Sequence, residues 1–133
     1  MRLSRKSEYA CLAMVDLAQH YRAEPVNMTS LAKRNAIPKK YLEQILLALK
    51  RAGYVRSSRG PGGGYKLAKP PRRISLAEII RLMDGPLAPV VSVSKYFYEH
   101  TPVEVDKRLI RIFKDIRDYA ARKLERSYLS DFL

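Results

Sequence analysis

Thiol chemistry is nearly absent from this chain, which holds a single cysteine, Cys11. An internal disulfide is therefore excluded, and the expected compartment is a reducing one. Long apolar runs are missing as well. No stretch approaches the roughly 18 residues that a membrane span needs, and the opening Met1-Arg2-Leu3-Ser4-Arg5-Lys6 lacks the apolar core of a secretion signal. The expectation is a cytoplasmic chain with no membrane association. There is no internal repeat and no low-complexity tail. No Ser/His/Asp or Cys/His set has supporting context, no residues are spaced as metal ligands, and no paired carboxylates sit in an apolar setting, so an enzyme is not expected. Negative charge is scarce: 13 Asp plus Glu face 26 Lys plus Arg, a formal charge of +13.

An excess of that size predicts a polyanionic partner. It is also lopsided. Residues 1 to 73 carry 16 basic and 4 acidic side chains, whereas residues 74 to 133 carry 10 and 9, so the N-terminal half is the one that meets the polyanion. At 133 residues and 47% hydrophobic content, the chain can bury one modest core with an appended element.

Ser4 is placed to cap a helix running to about Tyr21, apolar around most of its circumference and so buried on several sides. Thr29 and Ser30 can cap a short helix to about Asn35. Pro38 suits the first turn of a third helix that runs to about Ala52 and is stopped by Gly53. Leu42, Ile45, Leu46 and Leu49 give that helix an inward face, and the opposite face carries Lys39, Lys40, Glu43, Gln44, Lys50 and Arg51. Tyr54-Val55-Arg56 and Tyr65-Lys66-Leu67 read as two short strands around the turn Arg59-Gly60-Pro61-Gly62-Gly63-Gly64, with Arg56, Arg59 and Lys66 favouring DNA over a merely flexible hairpin. The glycine run is not a phosphate loop, because no Lys-Ser or Lys-Thr follows it and no helix begins there. Three helices followed by a β-hairpin is the order of a winged helix.

Beyond Pro70-Pro71, Ser75-Leu76-Ala77-Glu78 is a capping box for a fourth helix that Asp84-Gly85-Pro86 ends. Residues 86 to 104 read as an irregular connector. A final helix is expected from about Val105 to Tyr128, about 36 Å long, with an apolar seam of Leu109, Ile112, Phe113, Ile116, Ala120 and Leu124. So small a domain cannot cover that seam alone, so the helix is expected to pack on its twin in a homodimer. The expected organisation is a winged-helix DNA-binding domain over 1–85, a connector and possible effector region over 86–104, and a dimerisation helix with C-terminal tail over 105–133. The fold class is mainly α with a small β-hairpin wing.

Taken together, Met1-Arg2-Leu3-Ser4 with Tyr9-Ala10, Tyr41-Leu42-Glu43-Gln44-Ile45-Leu46, Arg59-Gly60, and Gly63-Gly64-Tyr65-Lys66-Leu67-Ala68 resemble the Rrf2-type winged-helix transcription regulators of bacteria. Ile74-Ser75-Leu76, Gly85-Pro86 and Leu129-Ser130-Asp131-Phe132-Leu133 extend the resemblance to both ends. It implies a homodimer joined through the C-terminal helix, acting as a repressor on an inverted repeat in double-stranded DNA. It also implies that Lys40 and Glu43 meet base edges in the major groove while Arg59 enters the minor groove, assignments that suit the chemistry of guanine acceptors, cytosine N4 and a narrow minor groove. The full expected DNA-binding set is Arg2, Thr29, Ser30, Lys33, Pro38, Lys39, Lys40, Tyr41, Glu43, Gln44, Arg51, Arg59, Gly60, Gly63 and Tyr65. Several family members hold an iron–sulfur cluster on three connector cysteines, some borrowing a ligand from the other subunit's first helix, where Glu8 lies here. The connector stretch Val91 to His100 has no cysteine, so the expectation is a branch without cofactor.

Some readings stay open on the residues alone. Glu43 is a base reader or an ordinary residue paired with Lys39 or Lys40. Tyr41 contacts a phosphate or packs as a half-buried ring. Lys33, Lys39 and Arg51 read as phosphate contacts. Cys11 reads as a buried small hydrophobe, with a redox-sensing thiol as the other reading. His20 and His100 read as surface residues, and Tyr96, Phe97 and Tyr98 as packing groups or the lining of an effector pocket. Asp115 with Lys114 and Asp118 with Arg122 read as a solvated face. A regulatory protein, a small metabolite or oxidation of Cys11 would each serve as the controlling signal. The competing function is a winged-helix module for structured RNA or a protein partner.

Overall fold

The computed structural model describes residues 1–133. Helix α1 spans Arg5–Gln19, with the Ser4 hydroxyl accepting the Ser7 N–H at 3.1 Å. It ends two residues before the expected Tyr21, because the His20 amide turns back onto the carbonyls of Asp16 and Leu17 and its ring Nδ1 lies 2.8 Å from the Asp16 carbonyl. His20 is thus half-buried at a helix end rather than a free surface residue. Ala10, Ala13, Met14, Leu17 and Ala18 of α1 are buried at the centre of the main core.

Helix α2 spans Met28–Asn35, and its cap is Asn27, whose side chain accepts the Ser30 N–H at 2.8 Å; the expected caps Thr29 and Ser30 lie inside the helix. The turn to helix α3, Lys39–Arg51, passes through Ala36 at φ 51°, a left-handed conformation unusual for a residue with a Cβ. Pro38 occupies the cap position of α3 rather than its first turn. Leu42, Ile45, Leu46 and Leu49 are all buried, as their spacing required.

Strands β1, Val55–Ser58, and β2, Gly64–Leu67, pair antiparallel with Val55 opposite Leu67 and Ser58 opposite Gly64. A third segment joins them: Val26 and Tyr65 exchange both backbone hydrogen bonds, at 3.0 and 2.8 Å. That pairing explains Gly64, where a Cβ would run into the Val26 carbonyl; Gly63 is required by the hairpin turn itself, since a Cβ there would lie 2.5 Å from the Ser58 carbonyl oxygen.

Helix α4, Leu76–Asp84, opens on the expected capping box, with the Ser75 N–H donating to Glu78 Oε2 at 2.8 Å. At its other end Asp84 clasps the start of α1, accepting the Ser4 amide at 2.9 Å and the Ser4 hydroxyl at 2.5 Å. Residues 86–104 hold only short 3-10 turns, at Val91–Val93 and Pro102–Val105. Helix α5 is Lys107–Glu125, 19 residues and about 28 Å, so it is shorter than expected at both ends. Asp106 caps it, and beyond it Ser127 and Tyr128 run extended because they pair with Leu76 and Ser75 at the head of α4. Leu129 then returns to the main core, fully buried. On α5, Asp118 pairs with Arg117 at 2.6 Å, not with Arg122, and Arg117 also donates to the Val93 carbonyl at 2.8 Å, holding the connector against the helix.

Candidate nucleic-acid interface

The four buried leucine and isoleucine side chains of α3 fix its rotation, so Lys39, Lys40, Tyr41, Glu43, Gln44, Lys50 and Arg51 are all exposed. The seven ion pairs of the chain leave out Lys39, Lys40 and Glu43, so Glu43 is not spent on a neighbouring lysine. The Tyr41 ring is about half exposed and tilts against Tyr9 at a centroid distance of 5.7 Å. Pro38 offers no side-chain cap, which leaves the first-turn amides of α3 pointing outward without side-chain partners. A helix N-terminus with free N–H groups attracts an anion such as a phosphate oxygen. Sequence spacing could not reveal these backbone donors.

On α2, Thr29 and Lys33 are exposed and Ser30 is half-buried. The neighbouring Arg34 turns the other way. Its Nε and Nη2 grip the two oxygens of buried Asp16 at 3.0 and 2.7 Å, while Asn35 Nδ2 donates to Asp16 Oδ2 at 2.8 Å. Burial alone would raise the Asp16 pKa, but the hydrogen bonds from Arg34 and Asn35 outweigh it and hold the carboxyl below its usual range. This clamp ties α2 to α1. Its members lie 18 and 19 residues apart and carry no motif, so no local pattern reveals them.

In the hairpin, Arg56, Arg59 and Gly60 are exposed, whereas Gly63 and Tyr65 are half-buried, Tyr65 packing against the core. Lys66 is not available at the tip: its Nζ donates to the Ala23 carbonyl at 2.8 Å and braces the hairpin against the α1–α2 segment. Lys50 Nζ donates to Ser57 Oγ at 2.8 Å, joining α3 to β1. Arg2 is exposed beside the Ser4–Asp84 clasp. The structure therefore brings the α3 and hairpin residues onto linked elements.

The remaining donors do not converge. No group of three or more His, Cys, Asp or Glu side chains is close enough to hold a metal ion. Cys11 is half-buried, and burial, followed by the charges of Asp84 and Glu8, pushes its thiol up to about 11, so it stays protonated at neutral pH. Tyr96 is exposed with the Arg81 guanidinium 4.9 Å from its ring centre, and the Tyr98 hydroxyl donates to Glu104 at 2.7 Å. His100 is exposed and paired with Glu104.

Residues 3–133 match the model of the Rrf2 family, described as an iron-dependent transcriptional regulator. The chain is 38% identical over 115 residues to a putative HTH-type transcriptional regulator, rrf2-like, of Rhodobacter capsulatus, an alignment covering 84% of this chain and 77% of that protein. Among solved structures, CymR of B. subtilis, titled the global cysteine regulator, superposes with a TM-score of 0.83 at 32% identity, covering 98% of this chain and 94% of that one. IscR of T. potens superposes with a TM-score of 0.71 at 32% identity, covering 98% and 85%.

Proposed function

Because the chain belongs to the Rrf2 family and is a DNA-binding transcription regulator, we propose that it works as a homodimeric repressor on a palindromic promoter element. The observation that carries this reading is the row of exposed, unpaired polar groups on α3, joined through Lys50 and Ser57 to a hairpin with exposed Arg59. In this reading α3 lies in the major groove. Lys40 donates to guanine O6 or N7, and the Glu43 carboxylate accepts from cytosine N4. Arg59 enters the adjoining minor groove, where a narrow groove concentrates negative potential. Lys33, Lys39, Arg51 and the free amides at the head of α3 bind phosphates and set the register. Residues 1–85 form the DNA-reading unit, 86–104 the connector, and 105–133 the dimerising segment.

Half of the expected α5 seam supports the dimer: Leu109, Ile112 and Ile116 are exposed in the single chain, while Phe113, Ala120 and Leu124 are half-buried. Two copies burying those side chains against each other place two α3 helices on two half-sites related by a twofold axis. Occupied, the element excludes the transcription machinery.

The family description names iron, and the donors here do not fit it. The connector lacks thiols, the one thiol is held neutral by burial, and no three potential ligands converge. No step of the proposed reading runs through iron.

Selection of bound duplexes from a random pool at moderate salt, with wild type and Glu43→Ala in parallel, tests the proposal. The expected result is an enriched inverted repeat whose two half-sites relax at matching positions in the variant. Absence of enrichment would favour the RNA or protein-docking reading.

A further inference from the structure

The end of α1, the α1–α2 segment, Pro70–Arg72 and the C-terminal residues line a surface pocket of about 390 Å³. That is large enough for a small molecule. Its surface is mainly apolar, contributed by Ala18, Tyr21, Pro70, Pro71 and Leu133, and the polar lining is Gln19, Ser130 and two arginines, Arg22 and Arg72. Neither arginine enters any ion pair of the chain. An apolar floor beside two cations outside every ion pair matches a ligand with an apolar body and one carboxylate, which a guanidinium fork can take up.

Two walls of the pocket lead directly into the hairpin. Arg22 adjoins Ala23, whose carbonyl receives Lys66, and three residues on, Val26 pairs with Tyr65. Pro70 lies three residues beyond the end of β2. We propose that this pocket is an effector site for an amphipathic carboxylate, an aromatic or branched apolar body with one carboxyl group, and that its occupation repositions the hairpin relative to α3. The ligand bridges Arg22 and Arg72, drawing together the two segments that anchor β2. The effect on DNA rests on the proposed function above; the binding site itself does not.

The test is an amide-resonance titration of the full chain without DNA, using phenylacetate, its uncharged counterpart phenylacetamide, and inorganic phosphate. Phenylacetate is expected to move the resonances of Ala18, Tyr21 and Arg72 together with Tyr65, and phenylacetamide to bind about tenfold more weakly. Arg22→Gln and Arg72→Gln, both exposed positions, are each expected to weaken phenylacetate binding about fivefold or more while leaving the rest of the spectrum in place. Equal binding of the amide, unchanged binding by both variants, displacement by equimolar phosphate, or no movement of the pocket resonances would each overturn the proposal. Because DNA is absent, such a failure leaves the DNA reading untouched, and failure of duplex selection leaves the pocket result standing.

Discussion

Asp16 carries more structural consequence than its isolated acidic position suggests. It is 6% exposed, and its charge is tolerated because Arg34 and Asn35 supply three hydrogen bonds to its two oxygens. Asp16→Asn keeps the shape and removes the charge, and about 2 kcal/mol of stability is expected to go with it, measured by urea unfolding. The pH dependence has a definite sign. Since the folded pKa lies below the ordinary value of 3.8, the carboxylate's contribution is fully present above about pH 4 and is lost as pH falls through the lowered value. Asp84 is shifted the same way: burial opposes ionisation, but the Ser4 hydroxyl and amide prevail. An acid titration of thermal stability should therefore be flat from pH 7 to near 5 and fall below about pH 4. Glu43, in contrast, has no internal partner, so Glu43→Ala should alter base preference with little change in stability.

The elements differ in how openly the sequence announced them. The 3- and 4-residue spacing of leucines in α3 dictated its buried face, and Ser75 with Glu78 dictated the head of α4, because both are local patterns acting within a turn or two. What was not legible depends on partners distant in sequence. The cap of α2 went to Asn27, which lies next to Val26 in the pairing with Tyr65, and α5 stops early because Ser127 and Tyr128 are claimed by α4. Lys66 looked like a DNA contact and is instead a brace, a role set by a carbonyl 43 residues away. The candidate interface was readable where a buried stripe implied its opposite face, and unreadable where backbone amides or the Asp16 clamp supply it. Two substitutions probe these elements. Ala36→Gly relieves the left-handed turn between α2 and α3 and should stabilise the protein by roughly 0.5 kcal/mol, visible as a small rise in the unfolding midpoint. Gly64→Ala should separate the Val26–Tyr65 pairing, speeding hydrogen exchange at those two amides while the helical circular dichroism stays unchanged.

At the scale of the molecule, the polar charge imbalance and the exposed α5 face act together. In the proposed homodimer the basic surface presented to one duplex is doubled, so removing Arg59 should lower the salt dependence of binding by about one counterion unit per site touched. Ile112→Glu places a charge in the half-exposed seam and is expected to shift the sedimentation coefficient toward that of a single chain, with weakened binding to the paired element but a native helical spectrum. An unchanged sedimentation profile would remove α5 from the dimer contact.

Leu129 has a further implication, one that concerns time. This side chain is wholly enclosed with the residues of α1, α3 and the hairpin, and Gln19 reaches the carbonyl of Phe132, 113 residues later. The core behind α3 is therefore not closed until residue 129 has left the ribosome. Such late, long-range closure slows folding relative to a bundle of local contacts. It also means that a chain still tethered to the ribosome and lacking residue 129 has an incomplete scaffold beneath α3.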